Sequence, residues 1–97
     1  MVVEFLTFEV PGGSRERWLR ADAEHWTTFL EAQDGFIRKE VWASVENVNT
    51  VHAVIWWRSL EEWHAISEEA LEEVRGRMGA LELPATLSTF EVIVADD

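Results

Sequence analysis

The chain has 97 residues, 47% of them hydrophobic, with no cysteine, six tryptophans and a formal charge of -11 from eight Lys and Arg against 19 Asp and Glu. This length allows one domain, residues 1–97, that hides only part of its surface on folding, and the absence of thiols excludes disulfides, thiolate nucleophiles and zinc knuckles. Its acidity makes phosphate backbones and anionic lipid poor partners, so no nucleic acid and no membrane is expected.

In chain order, the first stretch MVVEFLTFEV has no basic leader or cleavage site, and no apolar run approaches the roughly 18 residues of a membrane span. Cytoplasmic residence is the expectation. Val2 to Val10 alternates as a strand and is stopped by Pro11-Gly12-Gly13. Val2, Glu4, Leu6, Phe8 and Val10 share one face, so Glu4 is a carboxylate among apolar neighbours. Ser14 is placed to cap the helix that follows, and Asp34-Gly35 to end it.

That helix centres on Trp18 to Gln33, WLRADAEHWTTFLEAQ. At about 100° per residue, Trp18, Leu19, Trp26, Phe29 and Leu30 fall in one arc. Asp22 falls inside the arc and His25 just outside its edge. A carboxylate among indoles must be paired, protonated or wet.

Phe36 to Ser44 and Val51 to Trp57 read as a hairpin around VENVN. Phe36, Arg38, Glu40 and Trp42 are expected on one face of its first strand. In its second, Val51, Ala53, Ile55 and Trp57 oppose His52, Val54 and Trp56, so both sheet faces need a cover. Ser59-Leu60-Glu61-Glu62 fits a capping box. One helix is expected from there to about Arg77, with Leu60, Trp63, Ser67, Ala70, Leu71, Val74 and Met78 as its apolar stripe and the glutamates solvated. Gly79 stops it, and Leu87 to Val94 is a fourth strand.

The order β-α-β-β-α-β is that of ferredoxin-like α+β domains: a four-stranded antiparallel sheet with two helices on one face. The other face is expected to meet an identical sheet, making a homodimer.

The segments VEFLTFEV, DAEHWTTFL, QDGFIRKEVW and VIWWRSLEEW, in this order and at these distances, resemble a group of small bacterial proteins in the dimeric α+β barrel superfamily. That superfamily includes the antibiotic-biosynthesis monooxygenases. The resemblance implies a dimeric barrel and a cavity enzyme. It implies little about the reaction, since relatives oxidise polycyclic aromatics, degrade haem, decarboxylate, cyclise or isomerise. Trp57-Arg58-Ser59 matches a Trp-x-Ser pattern of the monooxygenases at the end of strand three. Ile66 stands where haem-degrading relatives carry a histidine, and strand one lacks their asparagine. Haem binding or degradation therefore ranks below the other readings.

The candidate catalytic residues are Asp22 and His25: a carboxylate raised by burial can act as a base and an imidazole can shuttle the proton. Candidate substrate-binding residues are Glu4, Trp26, His52, Trp56 and Trp63, the aromatics as walls for a flat ligand. The plainer alternatives are that Asp22 bonds an indole N–H, a hydroxyl, Lys39 or Arg38 for packing alone, that Glu4 pairs with Lys39 or Arg38 across the sheet, and that the helix tryptophans are core. His25, His52 and His64 form no i, i+3 or i+4 pair, so no metal is expected. Taken with these residues, the resemblance implies cofactor-independent oxidation or proton transfer on a small apolar, aromatic or polyketide-like molecule. The alternative is a non-catalytic homodimer that binds a small molecule or serves a structural role.

Overall fold

The structure, a computed structural model, describes residues 1–96. Four strands, β1 (Val2–Glu9), β2 (Phe36–Ala43), β3 (Thr50–Trp57) and β4 (Thr86–Glu91), form one antiparallel sheet in the order β2-β3-β1-β4. Helices fill both connections between the central and edge strands, as the β-α-β-β-α-β pattern predicts. No helix among the described residues is long and apolar enough to cross a membrane.

The first helical rod is continuous but not uniform. A 3-10 turn (Gly12–Ser14) leads into α1 (Arg15–Ala21), a π-helical stretch (Asp22–Thr27) and α2 (Thr28–Glu31). Ser14 makes no side-chain capping bond, contrary to expectation. The 3-10 turn begins the rod instead, with the Ser14 N–H donating to Pro11 O at 2.8 Å. Gly35 follows the rod in the left-handed region at φ +84, where a side chain is strained.

Positions four apart drift by about 40° in an α-helix. In the wider π-turn the same spacing drifts the other way. The π stretch therefore draws Trp18, Asp22, Trp26 and Leu30 into a narrower column than α-periodicity predicts. Trp18, Asp22 and Leu30 are buried in it.

The second rod is broken, where the sequence suggested one helix. It divides into α3 (Leu60–His64) and α4 (Glu68–Met78). Ser67, expected in the apolar stripe, is instead an N-cap: its hydroxyl accepts the Ala70 N–H at 3.1 Å, starting a new helix. Ser59 caps α3 as expected, accepting the Glu62 N–H at 3.1 Å, while its own hydroxyl and Arg58 hold the Glu62 carboxylate.

Both rods pack on the face carrying Val2, Leu6 and Phe8 of β1 and Val51, Ile55 and Trp57 of β3. One core cluster joins Val10, Trp18, Val51 and Met78; the other joins Leu30, Ile55 and Trp57, with Trp63 stacked on Trp57 at 6.4 Å and an interplanar angle of 6°. Trp57 is fully buried. The alternation of β2 differs from expectation, because a bulge between Phe36 and Arg38 resets its register. Phe36 pairs with Trp57 and packs on its ring, whereas Arg38, Glu40 and Trp42 pair with Trp56, Val54 and His52 on the other face.

Among the described residues, that other face carries no helix. Phe5 lies at its centre, 4.8 Å from His52, 6.0 Å from Phe90 and 6.1 Å from Trp42 between ring centroids. Trp42 and Phe90 are exposed.

Candidate active site between helices and sheet

A cavity of about 360 Å³ lies between the helix layer and the covered face of the sheet. Its floor comes from Glu4, Leu6, Phe8, Lys39, Ala53 and Ile55, and its walls from Asp22, Trp26, Leu30, Trp63, Ile66 and Leu71. Arg75 and the connection Glu82–Ala85 complete the lining. This volume is at the small end for ligand pockets, and mainly apolar walls with a few polar groups are usual for them.

The polar groups are built by identifiable devices. Asp22 opens the π stretch and Thr27 closes it, and both reach Lys39 of β2: Nζ donates to Asp22 Oδ2 at 2.6 Å and to Thr27 Oγ1 at 2.9 Å. The Asp22 and Lys39 side chains are 5% and 4% exposed, so this ion pair is out of water. Asp22 is thus paired, and its partner is one that sequence reasoning named.

Glu4 occupies the other side of the floor. The Trp57 indole N–H, diagonal to it across β1 and β3, donates to Glu4 Oε1 at 3.0 Å. Burial pushes the Glu4 carboxyl above its ordinary value of 4.5, and the Trp57 N–H and the Lys39 charge offset this only in part. At the rim, Trp26 Nε1 donates to Glu82 Oε1 at 3.0 Å. Arg75 is held by Glu68 and Glu72, which raise its pKa further.

Of the residues expected to form a site, the structure gathers Glu4, Asp22, Trp26 and Trp63 around one cavity. It separates the others. His25 is not among the lining residues; its Nε2 lies 3.9 Å from the Glu24 carboxylate and its side chain is 23% exposed. His52 and Trp56 stand on the opposite face of the sheet, which corrects the expectation of Trp56 as a wall between helix and sheet. There His52 Nδ1 lies 3.0 Å from the Thr7 hydroxyl, and the Arg38 guanidinium lies 4.1 Å from the centre of the Trp56 ring. His64 packs on Trp63. Among the described residues no group of three or more His, Cys, Asp or Glu is placed to hold a metal.

Sequence reasoning did not find Thr27, Arg75 or Glu82. Thr27 lies on the side of the rod that α-periodicity leaves polar, and Arg75 follows a run of glutamates that reads as a solvated face. Glu82 is in a connection with no periodicity to read.

The fold has many solved counterparts. A mutant form of SnoaB, a cofactor-independent oxygenase from Streptomyces nogalater, has a TM-score of 0.74 and 19% identity over 97% of this chain and 94% of its own. The ActVA-Orf6 monooxygenase of Streptomyces coelicolor, in complex with nanaomycin D, has a TM-score of 0.80 and 16% identity over 98% and 89%. The haem-degrading MhuD of Mycobacterium tuberculosis, with two haems in its active site, has a TM-score of 0.75 and 22% identity over 100% of both chains. These likenesses show the fold. Among curated protein sequences none matches the chain. Residues 1–77 match the family described as Antibiotic biosynthesis monooxygenase, and the chain belongs to that family.

Proposed function

We propose that this chain is a small-molecule enzyme that carries out cofactor-independent oxidation or proton transfer on a flat aromatic or polyketide-like substrate in the cavity between helices and sheet. The observation that carries this reading is a cavity walled by Trp26, Trp63, Leu30 and Ile66 with two carboxylates in its lining, Asp22 buried and Glu4 partly buried. Aromatic walls bind a planar molecule and exclude water, and a carboxylate beside it accepts a proton. SnoaB and the ActVA-Orf6 monooxygenase, as structural counterparts, agree with it. Haem suits the lining less well: it contains no histidine, cysteine, methionine or tyrosine to serve as an axial ligand.

One observation favours a second reading, a binding protein without turnover. Asp22 is already engaged by Lys39, as a purely structural carboxylate is. The two readings separate in one experiment. The purified chain is screened by native mass spectrometry for a co-purified ligand and by oxygen uptake with polycyclic phenols and ketones. Uptake that tracks a product establishes oxidation; a bound ligand that shows neither uptake nor exchange of its carbon-bound protons with heavy water establishes the binding protein; no ligand and no turnover, across the panel, refutes both.

We further propose a homodimer closed through the open sheet face, where Phe5, Trp42, Trp56 and Phe90 otherwise meet water. Light scattering should give twice the 11.2 kDa of one chain. A monomer at micromolar concentration refutes this.

A further inference from the structure

The floor of the cavity carries two opposed groups on one row of the sheet. Ile55 of β3 pairs with Glu4 on one side and with Lys39 on the other, so two inter-strand spacings put their backbones about 10 Å apart on the same face. Each has an unused half. The Lys39 ammonium has three protons and spends two, on Asp22 and Thr27; it lines the cavity. Glu4 receives the Trp57 N–H on Oε1, and Oε2 accepts no bond from a side chain among the described residues.

From this geometry we propose that Glu4 and Lys39 are a base and an oxyanion partner for a flat aromatic ketone with an acidic C–H beside its carbonyl. The inference rests on reading the cavity as a site for a flat aromatic molecule, and it adds the reacting group and the two catalytic residues. The carbonyl oxygen lies on the third N–H of Lys39 and the adjoining C–H faces Glu4 Oε2. The C–H bond breaks and its proton passes to Oε2. The electron pair it leaves forms the C=C of an enolate, and the carbonyl π pair moves onto oxygen beside the ammonium. No oxidant is consumed, and the reverse step returns a proton from Glu4 to carbon.

Several features suit these roles. A carboxylate made more basic by burial is a better proton acceptor at neutral pH than an ordinary one. An ammonium fixed in advance in a site shielded from water stabilises developing negative charge without reorganising. Asp22 and Thr27 are positioning residues: they aim the ammonium, and Asp22 keeps it compatible with burial.

The test is hydrogen–deuterium exchange into 2-tetralone, followed by NMR in heavy water without oxygen, with binding read separately from tryptophan quenching. The chain should exchange the α-protons well above the buffer rate. Glu4→Gln, which keeps an acceptor for Trp57, should lose about a hundredfold in exchange with binding unchanged. The double variant Asp22→Asn/Lys39→Met, which removes both charges together, should lose exchange by a much larger factor than it loses binding, since it also deletes the N–H that meets the carbonyl oxygen. The proposal is overturned if Glu4→Gln exchanges at the parent rate, or if 2-tetralone binds to the parent and does not exchange. It also falls if 2-tetralone does not bind, and 2-methylnaphthalene, which has no acidic C–H beside a carbonyl, then decides the wider reading. If that hydrocarbon binds, the aromatic cavity stands and only the enolate chemistry is lost; if neither binds, both are lost.

Discussion

Replacing Lys39 alone by methionine leaves the Asp22 carboxylate, 5% exposed, without its counter-ion. Thr27 remains near, but a hydroxyl cannot balance a charge. Removing one partner of a buried pair costs about 3–5 kcal/mol. For a domain of this size each kcal/mol lowers the melting temperature by roughly 4–8 °C, so even the lower figure means a fall of roughly 12–24 °C. Asp22→Asn should cost a similar amount, since it leaves the ammonium buried. In Asp22→Asn/Lys39→Met both charges are gone, and most of the loss should be recovered, because an apolar replacement of a whole buried pair is often neutral. Urea unfolding monitored by far-UV circular dichroism on all four proteins closes the cycle. The decisive number is the single-variant loss: a cost below about 1 kcal/mol, the range of exposed ion pairs, would show that water reaches the pair and that the cavity floor is not the dry site described above.

Three further outcomes are expected. The Glu4 carboxyl is raised above 4.5 on folding, so the folded state binds more protons, and this group's contribution to stability falls as pH rises from about 4.5 through the folded pKa; Glu4→Gln should therefore melt higher than the parent at neutral pH, with the advantage vanishing in acid, as thermal scans across pH will show. Gly35→Ala should lose about 1–3 kcal/mol in chemical unfolding, because its φ is +84 and a Cβ there would stand 2.6 Å from Glu62 Cβ. Ser67→Ala should cost about 1 kcal/mol by the same assay, since it deletes the hydroxyl that caps α4 at Ala70.

Much of the fold was readable because it depends on periodicity and punctuation. Period-two runs between Pro11-Gly12-Gly13, Asp34-Gly35 and Gly79 gave the four strands and their order. Which face the helices cover was not readable, because Val2/Glu4/Leu6/Phe8 and Val3/Phe5/Thr7/Glu9 are similarly greasy. Parity therefore could not place His52 and Trp56, and they proved to lie away from the cavity. The break at Ser67 was missed because a serine in an apolar stripe reads equally well as a small packing residue. Asp22 was found from its position in an oily arc, and Lys39 was one of several partners named. What selected Lys39 over its neighbour was a local irregularity in β2, which no alternating pattern announces.

That irregularity, the extra residue between Phe36 and Arg38, has a consequence for the chemistry of the floor. With Phe36 fixed against Trp57, an unbroken alternation would bring the guanidinium of Arg38 under Asp22 and send Lys39 to the far side of the sheet. The bulge at Ile37 is in effect a cation exchange. A guanidinium there would clamp the aspartate with two parallel bonds and fix its remaining donors in the plane of that fork, whereas the ammonium is a compact charge whose third N–H can be turned toward the cavity. The identity of the charge under the helix is thus written in the length of an edge strand as much as in the residue found at position 39.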